Sequence, residues 1–219
     1  MASEFIDQCS IKRYPLCVKE VSPMLRTVKD PEERRRELLA CAMKLFTEEG
    51  YDNVSVRAVA RAAHVAPGLA YHYFDSKECL FAAAIVDYAQ RCAKGICDVL
   101  DEHSLSLDEK LERALEVGAN HDGYTYANFF HEKGHDALHD RLSLAMCEAV
   151  RPHLRRALEE DAAERRMSAE GADELAGIMV YGCIGIASGP GMPDERTLLI
   201  ARRYLHALLA EFRSEATLH

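Results

Sequence analysis

The sequence predicts an all-α protein in which a three-helix head precedes a larger helical domain. Apolar residues recur at helical spacing along most of the 219 residues, and no stretch has the alternating pattern of a strand. Pro, Gly and Ser residues mark the ends of the predicted helices. We therefore expect about nine helices in three segments, namely an N-terminal extension at 1–30, a helix-turn-helix domain at 31–75 and a helical domain at 76–219.

The first helix is predicted to run from Pro31 to Gly50. Pro31 suits the first turn of a helix because its missing N–H has no partner there, and Glu32 and Glu33 follow at the positive end of the helix dipole. Gly50 is a natural stop. The apolar face of this helix is expected to consist of Leu38, Ala42, Leu45 and Phe46.

Two shorter helices follow, joined by a tight turn. Ser55 is a good N-cap for the first, Pro67 stands at the first position of the second, and Ser76 begins a long fourth helix. Because two short helices joined by a turn can place the second in the major groove of DNA, the pattern indicates a helix-turn-helix. The core of this head is expected to contain Phe46, Val59, Val65 and Phe74.

The head resembles the DNA-binding domain of the tetracycline-repressor (TetR) family. The resemblance rests on residues at the family's spacing within 45–51 (LF…GY), 55–60 (SVR…VA), 63–65 (AHV) and 71–78 (YHYF…SKE). It implies a transcription regulator rather than an enzyme, whose third helix enters the major groove of DNA. It also implies contacts to DNA phosphates by Tyr71, His72, Tyr73 and Lys77.

Three positions depart from the family pattern. His64 stands in the turn where Gly is common, Ala66 is a poor N-cap, and Leu69 replaces a small polar residue. His tolerates a left-handed backbone better than most residues, so the turn is expected to survive. A third helix with few hydrogen-bonding side chains favours contacts with thymine methyls and shape readout. The predicted DNA-binding residues are Ser55, Arg57, Arg61, Pro67, Gly68, Tyr71, His72, Tyr73 and Lys77.

The formal net charge of −9 is unusual for a protein that binds DNA. Attraction to phosphate therefore has to come from a local basic patch in the head. Surplus acid lies farther along the chain, for example at 159–161 and 170–174. An acidic effector domain behind a locally basic head fits a regulator. The main alternative is a helical dimeric interaction module without specific DNA binding.

The extension at 1–30 is basic between positions 11 and 29, where Glu20 is the one acid beside Lys12, Arg13, Lys19, Arg26 and Lys29. It is either a surface-packed extension or an arm that enters the minor groove of DNA. No signal peptide or membrane-length apolar run is evident, so we expect a cytoplasmic protein without a membrane partner. The eight Cys residues lack zinc-finger spacing and are expected to be free thiols. No cofactor and no metal are expected.

The last two predicted helices, at about 168–187 and 194–214, flank a loop at 188–193. Glycines inside a helix cost about 1 kcal/mol each relative to Ala, so close helix packing is the expected reason for them. In the resembled family the last two helices of each subunit form a four-helix dimer interface, which implies a homodimer. The expected interface residues are Gly177, Gly182, Gly185, Leu205 and Leu209. A core within one subunit is the alternative.

The segment 121–147 is rich in aromatic and histidine side chains, which suits a pocket for a small-molecule effector. His131, His135 and His139 are spaced four apart and would share a helix face that could hold a metal. Gly134 interrupts this helix and no paired carboxylates support a metal, so a metal-dependent enzyme is the weakest alternative. The expected pocket residues are His121, Tyr124, Tyr126, Phe129, Phe130, His131 and His135.

These features together predict a ligand-responsive transcriptional regulator. We expect a repressor that binds a palindromic double-stranded operator as a homodimer and is released by a small-molecule effector. Helices in the second domain are expected at about 76–101, at 107–120 and within 124–165, where a break is expected near Gly134.

Overall fold

The computed structural model describes residues 30–119, 125–126, 129–130, 132, 135–187 and 194–215. Within these stretches the structure has eight helices and no strand, which confirms the all-helical prediction. The helices are α1 (Pro31–Glu49), α2 (Val56–Ala62), α3 (Pro67–Tyr73), α4 (Lys77–Leu100), α5 (Leu107–Ala119), α6 (Asp136–Glu164), α7 (Ala172–Ala187) and α8 (Glu195–Glu215). The predicted extension at 1–30, apart from Asp30, the break near Gly134 and the loop at 188–193 lie outside the described residues.

The chain divides into two compact units, one ending at Ala83 and the other beginning at Ala84. The boundary falls inside α4, so this helix contributes residues to both units. We call residues 31–83 the head and residues 84–215 the second unit. No helix among the described residues is long and apolar enough to span a membrane.

The core of the head is built around α1. Asp30 caps this helix, because its side chain accepts a hydrogen bond from the backbone N–H of Glu32 at 3.3 Å. The ring of Phe46 is almost fully buried and lies 4.8 Å from the ring of Phe81 and 5.6 Å from that of Tyr51, measured between centroids. The residues of α1 that are buried in this core are Leu38, Leu39, Ala42, Met43 and Phe46.

The turn between α2 and α3 has the predicted chemistry. The hydroxyl of Ser55 accepts a hydrogen bond from the backbone N–H of Ala58 at 3.1 Å and so caps α2. His64 adopts a left-handed backbone with a φ of 53°, as expected for the position where the family commonly has Gly. Ala66 makes no side-chain cap hydrogen bond to α3. Of the four expected core residues, Phe46, Val59 and Phe74 are buried, whereas Val65 lies in the turn and is only half-buried.

The second unit is organised around α6, a helix of 29 residues that packs closely against α7. Its core contains Leu158, Met179 and Leu209, each essentially inaccessible to solvent. α8 packs against α5 and α7. Because α8 turns the stripe that contains Leu205 and Leu209 toward these helices, the two leucines are 7% and 1% exposed. This burial agrees with the alternative of a core within one subunit and leaves the two leucines little surface for a partner, so their place in a dimer interface stays a prediction.

An ion-pair network joins the first turn of α5 to the last turns of α6 and α8. The guanidinium of Arg213 on α8 lies 2.8 Å from the carboxylate of Asp108 on α5 and 2.8 Å from that of Asp161 on α6. Burial raises the pKa of the Asp161 carboxyl, but hydrogen bonds from Arg213 and Arg165 outweigh this and hold it below its usual value. The network fixes the end of α8 within the subunit.

Candidate nucleic-acid interface and ligand cavity

One side of α3 is exposed and the other faces the core of the head. Ala70 is fully buried, whereas Pro67, Gly68, Tyr71 and His72 are exposed. No atom lies within 4 Å of the position that a Cβ on Gly68 would take, so another molecule can approach the backbone closely there. A helix with one buried and one open side has the form required to enter a DNA groove.

Tyr73 and Lys77 are placed differently from Tyr71 and His72, because both are half-buried. The Tyr73 hydroxyl donates a hydrogen bond to the carbonyl oxygen of Pro31 at 3.2 Å. The Lys77 ammonium donates to the carbonyl oxygen of Asp52 at 3.2 Å and lies 4.2 Å from the centroid of the Tyr51 ring. In this structure the two side chains therefore tie the end of α3 and the start of α4 to the rest of the head.

Positive charge is available on α2. Arg57 and Arg61 are exposed and four residues apart, so they lie on the same face of this helix. Ser55 is also exposed, although its hydroxyl already accepts the hydrogen bond that caps α2. The structure thus brings two guanidinium groups to the surface of the helix that precedes α3.

The second unit contains a partly open cavity of about 160 Å³. Successive turns of α4 supply Tyr88, Cys92, Ile96 and Leu100, which are four residues apart and so share one side of the helix. The remaining helices of the unit contribute a mostly aliphatic lining that includes Leu111, Leu115, Leu142, Met146, Val150, Leu154, Met179, Val180, Ile184, Leu198 and Leu205.

One of the predicted pocket residues that the structure describes lines this cavity, and three do not. Phe130 lines the cavity, but Tyr126, Phe129 and His135 do not. Tyr126 instead contacts a residue of the lining, because its backbone N–H donates a hydrogen bond to the Tyr88 hydroxyl at 3.1 Å. The Phe129 ring packs edge-on against Phe130 and lies 4.4 Å from the ring of His135. The other expected residues, His121, Tyr124 and His131, lie outside the described residues.

A few polar groups interrupt the apolar lining. They are the Tyr88 hydroxyl, the thiols of Cys92 and Cys183, and the side chains of His139 and Ser143. Burial raises the pKa of the Cys92 thiol and raises that of Cys183 to about 11, so both thiols are protonated at neutral pH. In the described part of the chain no three His, Cys, Asp or Glu residues are arranged to hold a metal ion. The cavity therefore offers apolar contacts and hydrogen bonds.

An apolar face on α7 and α8 is open to solvent. On α7, Ile178 is 61% exposed, and Gly182 and Gly185 have open space where a Cβ would stand. Gly177 differs, because a Cβ there would lie 3.7 Å from the side chain of Arg151. We call this surface the α7/α8 face and define it by Ile178, Tyr181, Gly182, Gly185, Ile186, Leu199, Ile200 and Tyr204. Of the expected interface residues, Gly182 and Gly185 lie on this face, whereas Leu205 and Leu209 are buried within the subunit.

Comparison of the sequence with known families gives a match in the head. Residues 38–84 match the family described as "Bacterial regulatory proteins, tetR family". The chain is 44% identical over 54 residues to the HTH-type transcriptional regulator HbdR of Aromatoleum sp. (strain CIB), which covers 23% of this chain and 24% of HbdR. It is 32% identical over 62 residues to the regulator UidR of Escherichia coli (strain K12), which covers 28% of this chain and 32% of UidR. The chain thus matches only about a quarter to a third of the length of these relatives.

Solved structures extend the similarity beyond the head. A cysteine mutant of the TetR-family regulator CifR, whose structure includes a 26-base-pair operator DNA, aligns with a TM-score of 0.60 and 26% identity over 78% of this chain and 98% of CifR. The TetR-family repressor AlkX of Dietzia sp. strain DQ12-45-1b aligns with a TM-score of 0.57 and 17% identity over 82% of this chain and 96% of AlkX, and so supports the fold alone. The chain therefore carries the helix-turn-helix domain of the tetR family of bacterial regulatory proteins and shares the all-helical fold of solved family members.

Proposed function

We propose that this protein is a cytoplasmic transcriptional repressor that binds a palindromic operator as a homodimer and is released by a small molecule. The observation that carries the proposal is the open side of α3, flanked by the exposed arginines of α2, in a head that matches the family. The CifR mutant supports a DNA partner, since that protein is bound to operator DNA.

In the proposed complex, α3 enters the major groove with Pro67, Gly68, Tyr71 and His72 toward the DNA. The exposed side of α3 carries few hydrogen-bonding side chains, so shape readout and contacts to thymine methyls supply much of the specificity. The guanidinium groups of Arg57 and Arg61 bind phosphates on the rim of the groove. Tyr73 and Lys77 support α3 from within the head and reach phosphate only by exchanging their present partners.

The second unit supplies dimerisation and the response to a ligand. Two heads can read two half-sites only if two subunits associate, and the α7/α8 face offers the apolar surface for that association. α4 lines the cavity from Tyr88 to Leu100 and begins in the head at Lys77. A ligand that binds the cavity about 100-fold better in a conformation with altered head spacing shifts the equilibrium by roughly 2.7 kcal/mol.

Arg57→Ala tests the phosphate contacts. We expect weaker binding to all duplex sequences, and a slope of log affinity against log salt that is lower by about one unit, because one phosphate contact and its released counterion are lost. Fluorescence anisotropy with a labelled duplex at several salt concentrations measures both quantities. Arg57 is a better choice than Lys77, since Lys77→Ala also removes the contacts to Asp52 and Tyr51.

The matched control for this test is Arg155→Ala. Arg155 lies on α6 in the second unit, is also exposed and pairs with Glu159 at 3.6 Å. The Arg155→Ala variant should leave both the affinity for duplex DNA and the salt slope unchanged. An unaltered salt slope in Arg57→Ala would contradict the proposed phosphate contact.

An interaction module without specific DNA binding is the second candidate. It is favoured by the net charge of −9 and by the small number of hydrogen-bonding side chains on the open side of α3, where Tyr71 and His72 carry them. Salt-dependent retention of the protein on duplex DNA separates the two functions, since a module that binds only protein partners would not be retained.

A further inference from the structure

We propose that the effector is an uncharged, mostly apolar molecule about the size of one six-membered ring, with a single hydroxyl or carbonyl group bound by α6. The inference rests on the proposed function and deepens it, because it names the chemical class that the cavity of the second unit accepts. Three properties of the cavity lead to it, namely its charge, its size and the placement of its polar groups.

The charge of the ligand follows from the lining. None of the described residues that line the cavity is Asp, Glu, Lys or Arg. Both thiols are protonated, as shown by their raised pKa values. The ring of His139 already has a carboxylate nearby, since its Nδ1 atom lies 4.0 Å from Asp140. Among the described lining residues a charged ligand would find no Asp, Glu, Lys or Arg to offset the loss of its hydration, which is costly.

The size of the ligand follows from the volume of about 160 Å³. An apolar cavity of about 150 Å³ is large enough to bind benzene. The walls also include two aromatic rings, those of Tyr88 and Phe130, which lie nearly parallel to each other with centroids 5.7 Å apart and an angle of 8° between their planes. A single ring can pack against such a surface with good contact.

The orientation of the ligand follows from two polar side chains on α6. His139 and Ser143 both line the cavity and are one helical turn apart, so they approach it from the same side. A serine hydroxyl can donate one hydrogen bond and accept two, so Ser143 retains capacity for a ligand beside its contacts within the protein. The polar group of the ligand is therefore placed against α6, while its apolar part faces α4, α5 and α7.

The test uses four probes of similar size, namely p-cresol, toluene, benzoate and benzylamine, with calorimetry on the full-length protein in the absence of DNA. We expect p-cresol to bind at least about tenfold more tightly than benzoate or benzylamine, because charge is not compensated in the cavity. Ser143→Ala should reduce the preference for p-cresol over toluene about fivefold, the value of one ordinary hydrogen bond. Benzoate or benzylamine binding as tightly as p-cresol would overturn the inference.

Filling the cavity tests its location. Ala114→Phe places a ring in the cavity from α5 and should weaken p-cresol binding at least about tenfold, because a filled, close-packed space cannot hold a second ring. Ala163→Phe, at an exposed position of α6, is the matched control and should bind p-cresol like the wild type. If Ala114→Phe does not fold, Cys92→Phe fills the same space from α4. Unchanged p-cresol binding in a folded filling variant overturns the proposed site.

The two proposals can fail separately. A protein that binds DNA but none of the probes contradicts the assignment of the ligand class and leaves the regulator intact. A protein that binds p-cresol but is not retained on duplex DNA contradicts the proposed function and leaves the cavity assignment intact.

Discussion

Gly182→Leu should convert the protein from a dimer to a monomer and lower its affinity for the operator at least about 100-fold, since linking two binding modules raises affinity by about 10²–10⁴. Within one subunit a Cβ at this position meets no atom within 4 Å, and Gly182 is exposed, so a side chain here can extend into solvent. Leu also has a higher helix propensity than Gly. The damage must therefore come from a partner helix that approaches α7 closely at this glycine.

Light scattering at micromolar concentration and anisotropy with a labelled operator measure the two effects of Gly182→Leu. Ala163→Leu adds the same apolar bulk at an exposed position of α6 and should leave both quantities unchanged. A Gly182→Leu protein that remains dimeric and binds the operator normally would remove the α7/α8 face as the interface. A wild-type protein that is monomeric at micromolar concentration would also contradict the proposed interface.

Phe46→Ala should unfold the head while the second unit keeps its structure. Phe46 is 1% exposed and contacts the rings of Tyr51 and Phe81, so its loss leaves a cavity in the core. Such truncations cost ~3–5 kcal/mol. A domain as small as the head buries little surface and has little stability in reserve. We therefore expect DNA binding to be lost at physiological temperature.

Thermal unfolding and light scattering separate this effect from a general loss of structure. The Phe46→Ala protein should show an early transition for the head, with the dimer retained until the second unit melts. Lys44→Ala is the control on the same helix, since Lys44 is exposed and its ammonium forms a 3.9 Å ion pair with the exposed Glu48. Its unfolding should match that of the wild type. Normal DNA binding by Phe46→Ala would show that the head core is not organised as described.

The head could be predicted in detail because its signals are local. The Ser55 cap, the left-handed His64 and the uncapped start of α3 at Ala66 each depend on a few adjacent residues. The burial of Phe46 follows equally from the spacing of apolar residues along one helix. Val65 is the exception, because periodicity does not determine the burial of a side chain in a turn.

The cavity could not be predicted in the same way. Its wall includes the stripe of α4 that contains Tyr88 and Cys92, which in the sequence has the pattern of any core-facing helix. The aromatic composition around Tyr126 and Phe129 favoured a pocket there, yet these two residues contact the lining residues Tyr88 and Phe130 and do not line the cavity themselves. Which apolar residues surround an empty space depends on how five helices meet, and residue spacing carries no information about that.

The α7/α8 face shows a second limit of sequence reasoning. α8 is apolar on two sides, one containing Leu205 and Leu209 and the other containing Ile200 and Tyr204. Helical periodicity identifies both stripes but does not say which one packs within the subunit. Burial in the structure makes that distinction, and it leaves Ile200 and Tyr204 as the residues available to a partner.

Selection of bound duplexes from a random DNA library tests the central claim, that two heads of a dimer read a palindromic site, most directly. The account predicts enrichment of one sequence containing two inverted half-sites, with centres about 34–36 Å apart along the helix or a multiple of that distance. Binding to that sequence should weaken steeply as salt rises. Recovery of no preferred sequence, or of a single half-site without its inverted copy, would contradict the account.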